Sequence, residues 1–499
     1  MPLVRRAGRA IAMAGVSAGA GAAIGAGLLE PARAAPSLQG LSAKVDELEK
    51  AVSTAQANSS EVTELMAIGP LDGRYGSRLT ALQQYFSEYA LIKYRVKMEV
   101  EYFIELCGAV PQLSSVPTST FEQLRDVYRN FSVEDAQQIK ATERVTNHDV
   151  KAVEYFLKEK FDAFGLQAHK EFIHFGLTSQ DVNNTAVPLM LKDAVHAVYL
   201  PELRKFLGSL HGNAVAWDGI PMLSRTHGQP ATPTRMGKEM MVFVERVENQ
   251  IKLLESVPIG CKMGGASGTL AAHYVAYPDV DWEAFFNGLC GRLGMQRQQY
   301  TTQIEHYDNI GALCHTMGRI NTILIDYCRD MWMYVSLGYF TQTVKKNEVG
   351  SSAMPHKVNP IDFENGEGNF GLANAVFGHL AEKLPISRMQ RDLSDSTVIR
   401  NFGVPFGHSV LGIKSTARGL SKMNVNPRQL DADLEAQWAI VSEAIQTILR
   451  REGYPKPYEA LKELTRGSGH ITEQSIKEFV SGGDHRVLPF FCAIAGGAV

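Results

Sequence analysis

The stretch Gly350-Ser-Ser-Ala-Met-Pro-His-Lys-Val-Asn-Pro360 gathers two hydroxyls, an imidazole and an ammonium around two prolines that disrupt helix. Such groups on a loop held by a rigid scaffold are suited to moving protons and holding anions. Four more segments collect similar side chains: Thr146-Asn-His-Asp149, His174-Phe-Gly-Leu-Thr-Ser-Gln-Asp181, Ser224-Arg-Thr-His-Gly-Gln-Pro230 and Thr301-Thr-Gln-Ile-Glu-His306. A basic group follows at Arg388-Met-Gln-Arg-Asp392 and Ser396-Thr-Val-Ile-Arg400. Hydrolysis by a Ser-His-Asp triad is one chemistry these types allow, but no G-x-S-x-G elbow surrounds the serines. No histidine pair has the spacing of a metal site. Met263-Gly-Gly-Ala-Ser-Gly-Thr269 lacks the lysine and the strand context of a phosphate loop or dinucleotide fingerprint.

These clusters need long elements to hold them. From Ile310 the apolar positions run Leu313, Met317, Ile320, Leu324, Tyr327, Met331 and Tyr334, a heptad seam that predicts one long helix. Met236, Met240, Phe243, Val247, Ile251 and Leu254 predict a second. Strand-like alternation is scarce, so the fold expected is all-α, with three helical regions around a central bundle of long helices. The divisions expected are an N-terminal helical domain at 66–170, a central bundle at 171–430 and a C-terminal helical domain at 431–499. Pro455 and Pro457 interrupt the pattern near the start of the last. Seams on several faces lead us to expect an oligomer.

The 499 residues are 45% hydrophobic and 21% charged with a net charge of -3, an ordinary globular balance that argues against nucleic-acid or membrane-surface partners. Cys107, Cys261, Cys290, Cys314, Cys328 and Cys492 are widely spaced and read as reduced thiols. Residues 1–36 carry four arginines against one acid, and Ala32-Arg-Ala34 fits a cleavage site; we expect a removable targeting segment. The arginines suit an organelle (plastid or mitochondrion), the scarcity of serine counts against that, and cytoplasmic or secretory destinations stay open. Residues 37–65 read as a linker.

Gly350–Pro360 resembles the signature loop of the fumarase/aspartase superfamily. Asp72-Gly-Arg-Tyr-Gly76, Thr146–Lys160, Ser224–Pro233 and Gln390–Thr397 narrow the likeness to the adenylosuccinate lyase family, in its bacterial-type branch, over roughly residues 66–480. The resemblance implies a homotetramer whose active sites each draw on three chains, a nucleotide substrate, and no metal or organic cofactor. It implies β-elimination of fumarate from adenylosuccinate, giving AMP, and from the succinylated aminoimidazole carboxamide ribotide. Argininosuccinate lyase, fumarase, or a non-catalytic protein of the same fold are the alternatives. Thr146–Phe156 and Gln390–Thr397 argue against the first two; retention of His227, Ser351 and Lys357 argues against the last.

Such an elimination needs a base beside a carboxylate, an acid for the departing nitrogen, and fixed donors around the new charge. By resemblance His227 is the acid and Ser351 the base, with Ser352 its rival, activated by loop amides and Lys357. His148 would orient the substrate. The resemblance assigns binding to Arg74, Tyr75, Asn147, His148, Asp149, Thr178, Ser179, Gln303, Ser352, Lys357, Asn359, Arg391, Ser396 and Arg400. Thr178 and Ser179 would hold a succinyl carboxylate; Arg391, Ser396 and Arg400 would hold the phosphate. Two features depart from the family: Thr269-Leu-Ala-Ala stands where asparagines are common, and the apolar end Val487–Val499 is unlike its helical close.

Overall fold

The computed structural model describes residues 63–343, 354, 356–467 and 471–482. The chain divides into two compact units, 1–67 and 68–499. Of the first, the helix Thr63–Met66 is described; the expected targeting segment and nearly all of the expected linker lie outside the described residues, as do Ser351, Ser352, Cys492 and the apolar end.

In the second unit, helices α1 (Thr80–Phe86) and α2 (Glu88–Leu106) lead into α3 (Thr120–Arg129), α4 (Val133–Thr146) and α5 (Asp149–Ala163). Local chemistry fixes their ends. Ser87 caps α2 by accepting from the Ala90 amide at 3.1 Å. Ser132 and Asp135 form a capping box at the start of α4, and Asn147 ends it in the left-handed region at φ 53°. His148 then caps α5. The turn at 147–148 therefore delivers Asp149 to a helix N-terminus, where a negative charge is favoured.

The bundle begins with α6 (Ser179–Ala194), which passes through one π-helical turn, Val195–Tyr199, into α7 (Leu200–Ala216). After the hairpin β1 (Pro221–Thr226) and β2 (Gln229–Arg235) come α8 (Met236–Ser256), α9 (Asp308–Ser336), α10 (Ile361–Lys383), α11 (Ser394–Ile399) and α12 (Gly403–Leu420). The two expected seams are α8 and α9. Leu313, Met317, Ile320, Leu324, Tyr327 and Met331 are all buried along α9, which spans about 43 Å at about 1.5 Å per residue. Burial of each stabilises the fold by about 1.5–3 kcal/mol. Helices α9, α10 and α12 pack along one another. Their close approach needs glycine: a Cβ on Gly412 would lie 2.5 Å from the Phe370 ring.

The helical expectation holds, with three small two-stranded sheets among the described residues. One corrects the sequence reading. Ser224–Pro230, grouped there with segments lying between helices, forms an antiparallel β-hairpin. His227 and Gly228, at φ 52° and 74°, make its two-residue turn. The C-terminal helices α13 (Ser442–Arg451), α14 (Pro457–Gly467) and α15 (Glu473–Gly482) share a separate small core of Ile445, Leu449, Leu461, Ile471 and Ile476. Among the described residues, no helix is long and apolar enough to cross a membrane.

Candidate active site

A cavity of about 310 Å³ opens where α2, the first turns of α5 and α6, and α11 converge. Six of the residues expected from the sequence line it: His148, Asp149, Ser179, Arg391, Ser396 and Arg400. Asp149 Oδ2 accepts from Arg95 at 2.6 Å and from Arg400 at 3.1 Å, and Arg400 donates onward to Glu88 at 2.8 Å. Burial pushes the Asp149 carboxyl up, but Arg95, the Val150 amide and Arg400 outweigh it and hold the group below the usual carboxylate range.

His148 Nδ1 accepts from the Lys151 amide at 3.1 Å, which leaves the ring hydrogen on Nε2, 3.4 Å from Ser179 Oγ. Ser179 is itself held from below. Asp181, wholly buried, accepts from the Thr178 amide at 2.8 Å and from the Gly264 and Gly265 amides at 2.8 and 3.1 Å. Lys262, equally buried, pairs with Asp181 at 2.7 Å and donates to the Gly265 carbonyl at 2.5 Å. One ion pair therefore ties the start of α6 to a turn more than eighty residues away.

On the opposite wall, Arg391 donates to Gln303 and to Ser396, both at 3.1 Å. Behind it, Asn184 donates to the Tyr307 hydroxyl at 2.6 Å, and that hydroxyl donates to Asp395 at 2.9 Å. Arg95 Nη1 and Arg391 Nε are buried without a hydrogen-bond partner among the described residues. Arg391 and Arg400, with Ser179 and Ser396, give the cavity a cationic and hydroxyl lining that suits an anion. Phosphate and carboxylate both suit.

The remaining expected residues are not among those lining the cavity. Thr178 lies just before Ser179, Asn147 just before His148, and Gln303 reaches Arg391. Arg74 is exposed and stacks on Tyr75 with its Cζ 5.9 Å from the ring centre. His227 is exposed at the hairpin tip, and Lys357 is exposed. Ser351 and Ser352 lie outside the described residues.

The sequence reading missed Arg95, Lys262 and Tyr307, and it singled out the segment that starts at His174 without giving that residue a role. Lys93, Arg95, Lys97 and Glu99 share the stretch Leu91–Val100, so nothing in the sequence singles out Arg95 as the buried cation at the cleft. His174, at φ 59°, sits with Nδ1 2.5 Å from the buried Glu99. Burial disfavours its charge, but Glu99 prevails through charge and hydrogen bond and raises the imidazole pKa. Glu305 has no such cation among the described residues, and burial pushes its carboxyl up to about 8. Among the described residues, no group of three His, Cys, Asp or Glu side chains is arranged to hold a metal ion.

Residues 73–378 match the family described as Lyase, and residues 387–486 match the one described as Adenylosuccinate lyase C-terminal. The chain is 58% identical over 432 residues to adenylosuccinate lyase of Dictyostelium discoideum, covering 84% of this chain and 92% of that protein. It is 49% identical over 425 residues to adenylosuccinate lyase of Escherichia coli K12, covering 85% and 93%. Among solved structures, a fumarate lyase from Mesorhizobium sp. BNC1 superposes with a TM-score of 0.61 at 18% identity, covering 78% of this chain and 87% of that one. A 3-carboxy-cis,cis-muconate lactonizing enzyme from Pseudomonas putida gives 0.60, also at 18% identity, covering 78% and 86%. At that identity the two structures speak for the fold alone.

Proposed function

The chain belongs to the adenylosuccinate lyase family, enzymes that cleave carbon–nitrogen bonds, and from that premise we propose that it releases fumarate from adenylosuccinate to leave AMP. The same reaction on succinylated aminoimidazole carboxamide ribotide belongs to this reading. The structural observation that carries it is the convergence of Arg391, Arg400, Ser179 and Ser396 on one cavity. This donor set matches a ligand with a phosphate at one end and two carboxylates at the other.

In this reading a base removes a proton from the carbon next to a succinyl carboxylate. The electron pair is held in that carboxylate and then forms the double bond of fumarate as the C–N bond breaks. An acid gives the departing nitrogen its proton. Ser351, or its neighbour Ser352, serves as base and His227 as acid. Thr178 and Ser179 hold the carboxylate where charge gathers, while Arg391, Ser396 and Arg400 hold the phosphate. His148 orients the substrate, and Arg74, Tyr75, Asn147, Asp149, Gln303, Lys357 and Asn359 complete the binding set. Protein groups alone suffice for these steps.

A homotetramer with shared sites follows. Its support is twofold: His227 is exposed away from the cavity of its own chain, and the bundle helices expose Met241, Leu253, Trp332, Met333 and Leu372. The acid-poor, arginine-bearing start supports delivery to an organelle and removal of that segment; N-terminal sequencing of the mature chain tests this. The central experiment is an ultraviolet assay of fumarate release from adenylosuccinate by the purified protein. Turnover that disappears in Ser351→Ala and His227→Gln supports the reading. A well-folded protein without turnover overturns it.

A further inference from the structure

Helix α2 has a second charged face that the cleft does not use. Leu91 and Arg95, four residues apart, face the catalytic cavity, whereas Lys93 and Lys97 face another cavity of about 350 Å³. Gln84, Tyr85, Tyr94, Tyr128 and Arg129 complete its lining. That volume lies within the usual range for small-molecule sites, about 300–1,000 Å³.

The walls are held firmly. The Tyr94 hydroxyl donates to Asp193 at 2.7 Å, and the Tyr128 hydroxyl donates to Glu101 at 2.7 Å. Both nearby carboxylates therefore have partners, and both rings are fixed. Lys97 Nζ lies 5.7 Å from the centre of the Tyr94 ring and 5.9 Å from that of Tyr128. Arg129 at the rim is already held by Glu122 at 2.7 Å and by Asp126 at 3.5 Å. Lys93 and Lys97, by contrast, have no carboxylate partner among the described residues. One helical turn apart, the two ammoniums repel each other and share one concavity. An anion placed between them relieves that repulsion, and the tyrosine rings offer a flat wall beside it.

We propose that this cavity is a second ligand site for a small phosphate ester carrying a flat ring, the nucleotide class, with its phosphates between Lys93 and Lys97. The site is connected to the cleft through rigid elements. The same helix turn carries Arg95, and Tyr94 is bonded to Asp193 on α6, the helix that begins with Ser179.

The test is calorimetric titration of the full-length protein with ADP, pyrophosphate and adenosine at low salt. Lys93→Gln/Lys97→Gln and, separately, Arg400→Ala are titrated alongside. Arg400→Ala weakens whatever ADP enters the cleft and leaves the second equivalent in place. Lys93→Gln/Lys97→Gln weakens that second equivalent by about tenfold or more, as expected for loss of charge-assisted contacts. Its fumarate release without ADP stays at the parent's level, which also shows that it folds. Pyrophosphate competes for the second equivalent, and adenosine binds there at least about tenfold more weakly than ADP. The proposal is overturned if the double lysine variant binds ADP with the parent's stoichiometry and affinity, or if adenosine binds as tightly as ADP.

Discussion

Asp181 and Lys262 are wholly buried and bonded to each other, with Asp181 also accepting from two glycine amides, whereas His227 is exposed on a two-residue turn. Both belong to segments rich in polar side chains, yet they meet opposite demands. The ion pair under α6 must fix a wall of the cleft within one chain, so its hydrogen bonds are satisfied internally. The hairpin buries Met222 and Leu223 at its base and leaves the His227 imidazole exposed at its tip. Mutations should therefore separate the two: changes at the hairpin should remove turnover and spare stability, and changes under the cleft should do the reverse first.

The largest expected effect is at the hairpin. His227→Gln should lower kcat by about 10²–10⁴-fold with an unchanged thermal midpoint, measured by fumarate release and calorimetry. Mixing and reassembling His227→Gln chains with Arg400→Ala chains should restore part of the activity if sites are shared between subunits. If each chain works alone, none returns. Beneath the cleft, Asp181→Ala strands the Lys262 ammonium and should cost about 3–5 kcal/mol in denaturant unfolding.

Two histidines refine the comparison through pH. His273 is buried among Phe175, Trp282 and Phe286, and burial pushes its pKa down to about 4. The unfolded chain then binds the proton more tightly, so stability contributed by the neutral ring is lost as pH falls below about 6.5 toward 4. The loss is on the order of 3 kcal/mol, and His273→Leu should flatten the acid limb of an unfolding-against-pH curve. His174 has the opposite sign. Its raised pKa gives stability that is fully present below the unfolded histidine value and is lost as pH rises through the folded one. His174→Gln should remove that alkaline slope, the smallest effect of the set.

The sequence made the long bundle helices legible because α8 and α9 repeat apolar residues at helical spacing for many turns. The motif segments likewise pointed to the cleft: His148, Asp149, Ser179, Arg391, Ser396 and Arg400 converge on it from three parts of the chain. What stayed hidden was pairing over distance. Asp181 with Lys262, and Asn184 with Tyr307 and Asp395, are bonds between residues with no local pattern in common. The hairpin was hidden for another reason. Pro230 and Pro233 obscure strand alternation, and only the left-handed turn at His227-Gly228 marks it.

The π-helical turn at Val195–Tyr199 sets the length of a rod that does two jobs. Its upstream end brings Ser179 and Asn184 to the cleft, and its downstream end buries Leu203, Phe206, Leu207 and Leu210 in the bundle. One residue of a helix turns its side chains by about 100°. The wide turn already holds one residue more than a regular α-helix, so adding another there would swing those four side chains out of their sockets, whereas deleting one would convert it to α-helix and keep them in register. An inserted residue is thus tolerable in the connecting loops but not at this wide turn, which works as a gear between the cleft and the bundle core.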